Sequence, residues 1–247
     1  MFPGIGTAVN VCTVLVGSTF GVLVGHRLPA RTRDVVTDVL GLVTLLIAGT
    51  EAASVADHSF RSAVGDVAPT LIVLGSLLIG GIAGSLLRLE DRLEGLGGFL
   101  QARLAGRGGA DRQRFIEGYV TSSLVFCVGP LTVLGSLSDG LGQGADQLFL
   151  KSVLDGFASI AFAASLGWGV TASALSVLVV QGALTAVGAG LGQVLSGAGV
   201  AALTAAGGLI LVGVALRLLR IRNLPVADLL PALVVAPVLT ALVHALR

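Results

Sequence analysis

The chain has 247 residues, 54% of them hydrophobic and only 12% charged, with a formal net charge of +1. Soluble domains carry about 25% charge, and a chain of this size has too little interior to hide so much apolar surface, so most of that surface faces lipid. The near-zero charge excludes the basic field of a nucleic-acid-binding protein, and no Walker A, HExxH or GxSxG motif points to an enzyme.

A membrane-crossing helix needs about 20 mostly apolar residues. Eight segments qualify in chain order: 5–25, 36–54, 67–88, 115–138, 148–167, 170–194, 199–219 and 226–245. The first follows Met-Phe-Pro-Gly with no basic run, so it reads as a retained span rather than a signal peptide. Segments 115–138 and 148–167 are the least uniform, because they contain Glu117, Gly129-Pro130, Lys151 and Asp155, and each either spans or re-enters. Between the third and fourth, 89–107 has apolar residues at helical spacing with charges between them, the pattern of a helix lying on a membrane surface. The 36 glycines are suited to close helix contact, since packing rather than the hydrophobic effect joins helices in lipid. Cys12 and Cys127 both lie in apolar segments and read as small packing residues; two cysteines make no structural zinc site.

Basic residues sort by loop. Arg27, Arg31 and Arg33 follow the first span, Arg88, Arg92, Arg103, Arg107, Arg112 and Arg114 follow the third, and Arg217, Arg220 and Arg222 follow the seventh. The alternate loops are poor in Lys and Arg. Positive residues mark the cytoplasmic side, which predicts an inner-membrane protein with both termini outside.

The chain also matches itself. At a constant offset of 167, Gly21 aligns with Gly188, Gly25 with Gly192, Leu28 with Leu195, Thr37 with Thr204, and Gly41-Leu42 with Gly208-Leu209. Asp66-x-x-Pro69 resembles Asp228-x-x-Pro231, and 117–129 (EGYVTSSLVFCVG) aligns with 155–167 (DGFASIAFAASLG). The arginine-rich first loop has an uncharged counterpart near Gln193–Gly199, as expected of copies inserted upside down. The expectation is an all-α polytopic membrane protein. A single transmembrane domain is built from two inverted halves, 1–138 and 148–247, around broken central helices. Inverted repeats are typical of secondary transporters, whose sites lie at the repeat interface near the midplane.

The candidate site follows from where helices break and polar groups cluster. Gly129-Pro130 interrupts the fourth segment and Gly167 the fifth, and a break frees backbone groups that only protein, water or a ligand satisfies. Thr121, Ser122, Ser123 and Cys127 precede the first break, and Ser136 and Asp139 follow it. Ser159 and Ser165 precede the second. Asn10 and Gln181 are amides inside apolar spans. Asp155 stands four residues from Lys151, so the two pair along one helix face. An intramembrane acid is a functional group by default, and Asp155, with Asp139 as the lesser choice, is the candidate carrier of a coupling proton.

Several of these residues sit in recognisable strings. Gly6-Thr7-x-Val9-Asn10 with Gly17, Gly21, Gly25 and Pro29, then Phe126-Cys127-Val128-Gly129-Pro130 with Leu134-Gly135-Ser136 and Asp139-Gly140, resemble the bacterial YdfK/YqgA-type family of uncharacterised inner-membrane proteins. Lys151-Ser152, Asp155-Gly156, Ser159, Phe162-Ala163, Leu166-Gly167 and Gln181-Gly182 extend the resemblance over essentially the whole chain. It implies a multi-pass bacterial membrane protein and supplies no substrate. The residues themselves favour a secondary transporter of a small solute or ion, coupled to Na+ or H+ and needing no cofactor. A passive channel and a non-transporting scaffold or sensor are the alternatives. Beyond the bilayer and the transported species, a glycine-rich outer face suggests a second copy as partner.

Overall fold

The computed structural model describes residues 3–25, 29–104, 109–128, 130–142, 144–191 and 196–246. Its elements are helices: α1 (Ile5–Gly25), α2 (Ala30–Ala52), a 3-10 turn (Ala53–Ala56), α3 (His58–Val64), α4 (Ala68–Leu87), α5 (Leu89–Leu104), α6 (Gly109–Val128), α7 (Pro130–Gly140), α8 (Asp146–Leu166), α9 (Gly169–Leu191), α10 (Gly197–Leu218), a second 3-10 turn (Val226–Leu229) and α11 (Ala232–Ala245). No strand occurs among the described residues. In lipid a helix satisfies its own backbone, which is why so apolar a chain resolves into helices alone. Seven of them are long and apolar enough to cross a membrane. An eighth crossing counts α6 and α7 together, bent by 74° between Cys127 and Leu131. The fold is an all-α polytopic membrane protein. The expected surface segment at 89–107 is helical as α5 over Leu89–Leu104; residues 105–108 lie outside the described ones.

The chain forms two compact units, Met1–Leu40 with Leu93–Gln193, and Gly41–Arg92 with Val194–Arg247. Each is assembled from two separate stretches of the chain, and neither coincides with 1–138 or 148–247.

In the first unit α1 lies along α8. A Cβ at Gly17 would stand 2.5 Å from the Gly156 carbonyl oxygen, and one at Gly21 2.3 Å from that of Ile160. No side chain fits there, so glycines spaced one turn apart let the two backbones touch. The contacts advance together, Gly6 on Leu148 and Gly25 on Ala164, so α1 and α8 run parallel. Arg114 reaches Ser165 while Phe126 packs edge-on against Phe162, with ring centroids 6.0 Å apart, so α6 runs against α8. Gly169 abuts Phe115, and Ser176 meets Tyr119 and Ser123, so α9 runs with α6. It follows that α9 is antiparallel to α1.

The second unit is built around Phe60, Val64, Ile72, Val73 and a row of alanines, Ala201, Ala202, Ala205 and Ala206 of α10. Asp57 starts α3 by accepting the Ser59 N–H at 2.8 Å, and Ser196 starts α10 by accepting that of Gly199 at 3.2 Å. Gly41 and Gly208, matched by the 167 offset, make reciprocal contacts. A Cβ on Gly41 would meet Leu218 and Leu219; one on Gly208 would meet Glu51 and Ala52, the same two positions shifted by that offset. At the start of α5, Glu90 pairs with Arg217 and accepts the Ala227 N–H at 2.7 Å, while its own N–H donates to Asp228 at 2.9 Å.

Candidate functional site

The centre of the first unit holds a buried charge pair. Lys151 Nζ stands 2.7 Å from Asp155 Oδ2, and the same oxygen accepts a hydrogen bond from Asn10 Nδ2 at 2.9 Å. Asp155 is the tenth of the 21 residues of α8, so the carboxylate sits mid-helix rather than at a helix end. Asn10 is fully buried, and Lys151 and Asp155 are 6% and 7% exposed. Taking two ions out of water costs several kcal/mol apiece, roughly, before their attraction offsets it. Cys127, at the end of α6, lies within the electrostatic reach of both charges.

The level of this pair can be read from the helix directions. At the N-terminal end of α1, Thr7 Oγ1 is 3.4 Å from Thr185 Oγ1 of α9. Gly6 packs on Leu148, Leu148 on Gly135, and Gly140 on the Thr185 carbonyl. One turn inward, about 5 Å, come Asn10 on α1, Lys151 on α8 and Gln181 on α9. Gln181 precedes Thr185 by one turn on the same face of α9, as Asn10 follows Thr7 by one turn on α1. Three helices thus contribute polar residues to a single layer, while Ser136 is buried on α7 beside Gly135, which packs on Leu148. Asn10 Oδ1 and both amide atoms of Gln181 in this layer, and Ser136 Oγ on α7, are buried without a hydrogen-bond partner among the described residues. Such groups each cost on the order of 1–3 kcal/mol when left unpaired, so the layer is built to bond something other than the chain.

Other expected site residues are placed elsewhere. Asp139 is not an idle carboxylate: its Oδ2 accepts the N–H groups of Gly4 and Gly6, both at 3.1 Å, and so caps α1. Ser122 bonds back to the Gly118 carbonyl at 2.5 Å, Ser123 donates to Ser176 at 2.9 Å, and Thr121 is buried on the same helix. Of these, Ser123 joins α6 to α9. Ser159 donates to the Gly156 carbonyl at 2.8 Å at the α1–α8 contact, two turns beyond Asn10. Ser165 shares a hydrogen bond of 2.7 Å with Thr37.

The two breaks differ. Pro130 begins α7 after the 74° bend, while Gly129 itself lies outside the described residues. Gly167, at φ +79°, is the C-cap of α8 and turns the chain into α9. Carbonyls freed at that turn are not open to a ligand in the way the sequence suggested. The Ser165 carbonyl accepts from Arg114 Nε and Nη2 at 3.0 and 2.6 Å, and the Gly167 carbonyl accepts from Val170 at 3.2 Å. Arg114 was legible only as one more cytoplasmic positive charge. Its partner is 51 residues away, and nothing in local spacing announces it.

With this geometry in view, the chain can be set beside known proteins. A family described as a protein of unknown function, DUF554, matches residues 5–241. The chain belongs to that family. It is 29% identical over 238 residues to the uncharacterized protein YqgA of Escherichia coli (strain K12), with 96% of each chain covered. It is 26% identical over 241 residues to the uncharacterized membrane protein YdfK of Bacillus subtilis (strain 168), with 97% of each covered. No solved structure matches. As a DUF554 protein with a membrane-protein relative and seven apolar helices of spanning length, it is a multi-pass membrane protein.

Proposed function

We propose that this DUF554 protein is a secondary, ion-coupled transporter of a small solute or ion, and not an enzyme. The observation that carries the reading is the buried Lys151–Asp155–Asn10 cluster at mid-helix, with atoms of Asn10 and of Gln181 in the same layer unpartnered among the described residues. A membrane protein keeps a charge pair in that position at considerable cost, and intramembrane ionisable groups mark solute pathways and proton relays. Asp155 is the proton-coupling group in this reading. Asp139 is instead the cap of α1, its Oδ2 accepting the Gly4 and Gly6 N–H groups at the helix end.

An inverted repeat supports the same class. The Gly41 and Gly208 contacts are reciprocal under the 167 offset, as two copies related by a twofold axis require. The proposal extends to an inner-membrane location with both termini outside, carried by the arginine pattern, and to a homodimer. The open apolar groove between α1 and α8, about 570 Å³ and lined by Val16, Gly17, Val153, Phe157 and Ile160, is the surface offered to that second copy.

The test is proton movement in proteoliposomes loaded with a pH-sensitive dye. Monovalent cations and small polar solutes are added one at a time to vesicles holding the native chain or Asp155→Asn. The native chain is expected to move protons with at least one of them, and the variant with none. Equal proton movement in both removes Asp155 from the coupling step, and a non-saturating ion current replaces the carrier with a channel.

A further inference from the structure

The polar layer divides by pairing. Its two charged members, Lys151 and Asp155, are bonded to each other, and Asp155 also holds Asn10 Nδ2. Its uncharged members are the ones left open: Asn10 Oδ1, Gln181 Oε1 and Gln181 Nε2 have no partner among the described residues. Resting on the transport reading above, we propose that Asn10 and Gln181 form the solute subsite, and that it takes a small solute without net charge that presents a hydrogen-bond donor beside an acceptor.

The class follows from the groups available. Gln181 is fully buried and offers an acceptor and a donor on one planar amide, so its natural complement is a planar group with both, as in a primary amide or urea. Asn10 Oδ1 adds one more acceptor. A bare cation would use the oxygens and leave Gln181 Nε2 stranded. An anion would leave Asn10 Oδ1 and Gln181 Oε1 stranded. Charge points the same way. Lys151 and Asp155 cancel, and the Asp139 carboxylate one turn outward is met by the N-terminal backbone of α1. A solute with net charge would enter this buried layer with no counter-charge free to receive it. Water fills buried polar sites of this kind in many proteins, so the test must show selection among solutes.

Three planar molecules of nearly one shape make that selection visible: urea, guanidinium and nitrate carry charges of 0, +1 and −1. Proteoliposomes containing the full chain are expected to take up urea saturably above protein-free vesicles, and acetamide likewise, with guanidinium and nitrate at least tenfold slower. Gln181→Leu should cut urea uptake at least tenfold. Its melting temperature in detergent should hold or rise, because an unpaired buried amide has been removed. Absence of protein-dependent uptake of both urea and acetamide, preference for either ion, or unchanged uptake in Gln181→Leu overturns the proposal. So does a fall of several degrees in melting temperature, which would make the amide structural. Asp155→Asn separates this inference from the reading beneath it. Saturable urea uptake that ignores Asp155 leaves the subsite standing and ends proton coupling. Proton movement with other solutes but no urea or acetamide uptake ends the subsite alone.

Discussion

Two ion pairs in this protein, one part-buried and one buried, invite comparison. Glu90–Arg217, in the second unit, joins helix ends, and both Glu90 oxygens are engaged, one by Arg217 and one by the Ala227 N–H. Lys151–Asp155, in the first, lies mid-helix, and Asn10 beside it and Gln181 in the same layer keep buried polar atoms with no partner among the described residues. The lesson is that burial and charge alone do not distinguish a joint from a site. A joint closes its hydrogen bonds, because every unpaired group weakens it. A site leaves some open for a ligand and accepts the loss of stability.

The comparison breaks most sharply if the mid-helix pair is made apolar. In the double variant Lys151→Met with Asp155→Leu, transport should fall to the level of protein-free vesicles. Stability measured by unfolding in detergent should be unchanged or higher by about 1–4 kcal/mol, as for other buried pairs replaced by packed apolar groups. A large loss of stability would class this pair as a joint like the other. Arg217→Met asks the reverse question. It leaves Glu90, 13% exposed, without its counter-charge, and should cost about 3–5 kcal/mol. Transport per folded molecule should be unchanged, and a changed turnover would bring the second unit into the mechanism. The smallest effect is expected at Asp139, a carboxylate in the site's own unit whose inner oxygen is fully used. Asp139→Ala removes a cap and should cost about 1 kcal/mol with proton coupling intact. Loss of coupling there would mean that hydrogen-bond closure is not what separates the two kinds of group.

Much of the candidate site could be seen before any coordinates. Asp155 and Lys151 stand at helical spacing, and Asn10 and Gln181 are amides inside apolar spans, so composition alone singled them out. Ser136 follows Gly129-Pro130 in the sequence, and its hydroxyl is buried with no partner among the described residues. Ser122, Ser123, Ser159 and Ser165 carry the same residue chemistry yet bond within their own helix or to a neighbouring one. A hydroxyl in an apolar helix has the same sequence signature whether it bonds its own previous turn, a neighbour or a solute. Gly167 looked like the twin of Gly129, but local sequence does not say whether a break bends one span or turns the chain into the next. Arg114 decides it by reaching back to Ser165.

By itself the sequence determined the solvent and the elements. Apolar runs of spanning length in a chain 12% charged have no stable home outside lipid, and in lipid such runs must be helices. The spans at 5–25, 67–88, 148–167 and 199–219 were readable to within two residues for that reason. Only the tertiary structure decided which polar groups are paired. Asn10 meets Asp155 across 145 residues, and Asp139 meets Gly6 across 133. Those pairings depend on glycine faces such as Gly17 and Gly21 bringing backbones into contact, and contact between distant helices is a property of the packed molecule rather than of any local stretch of chain.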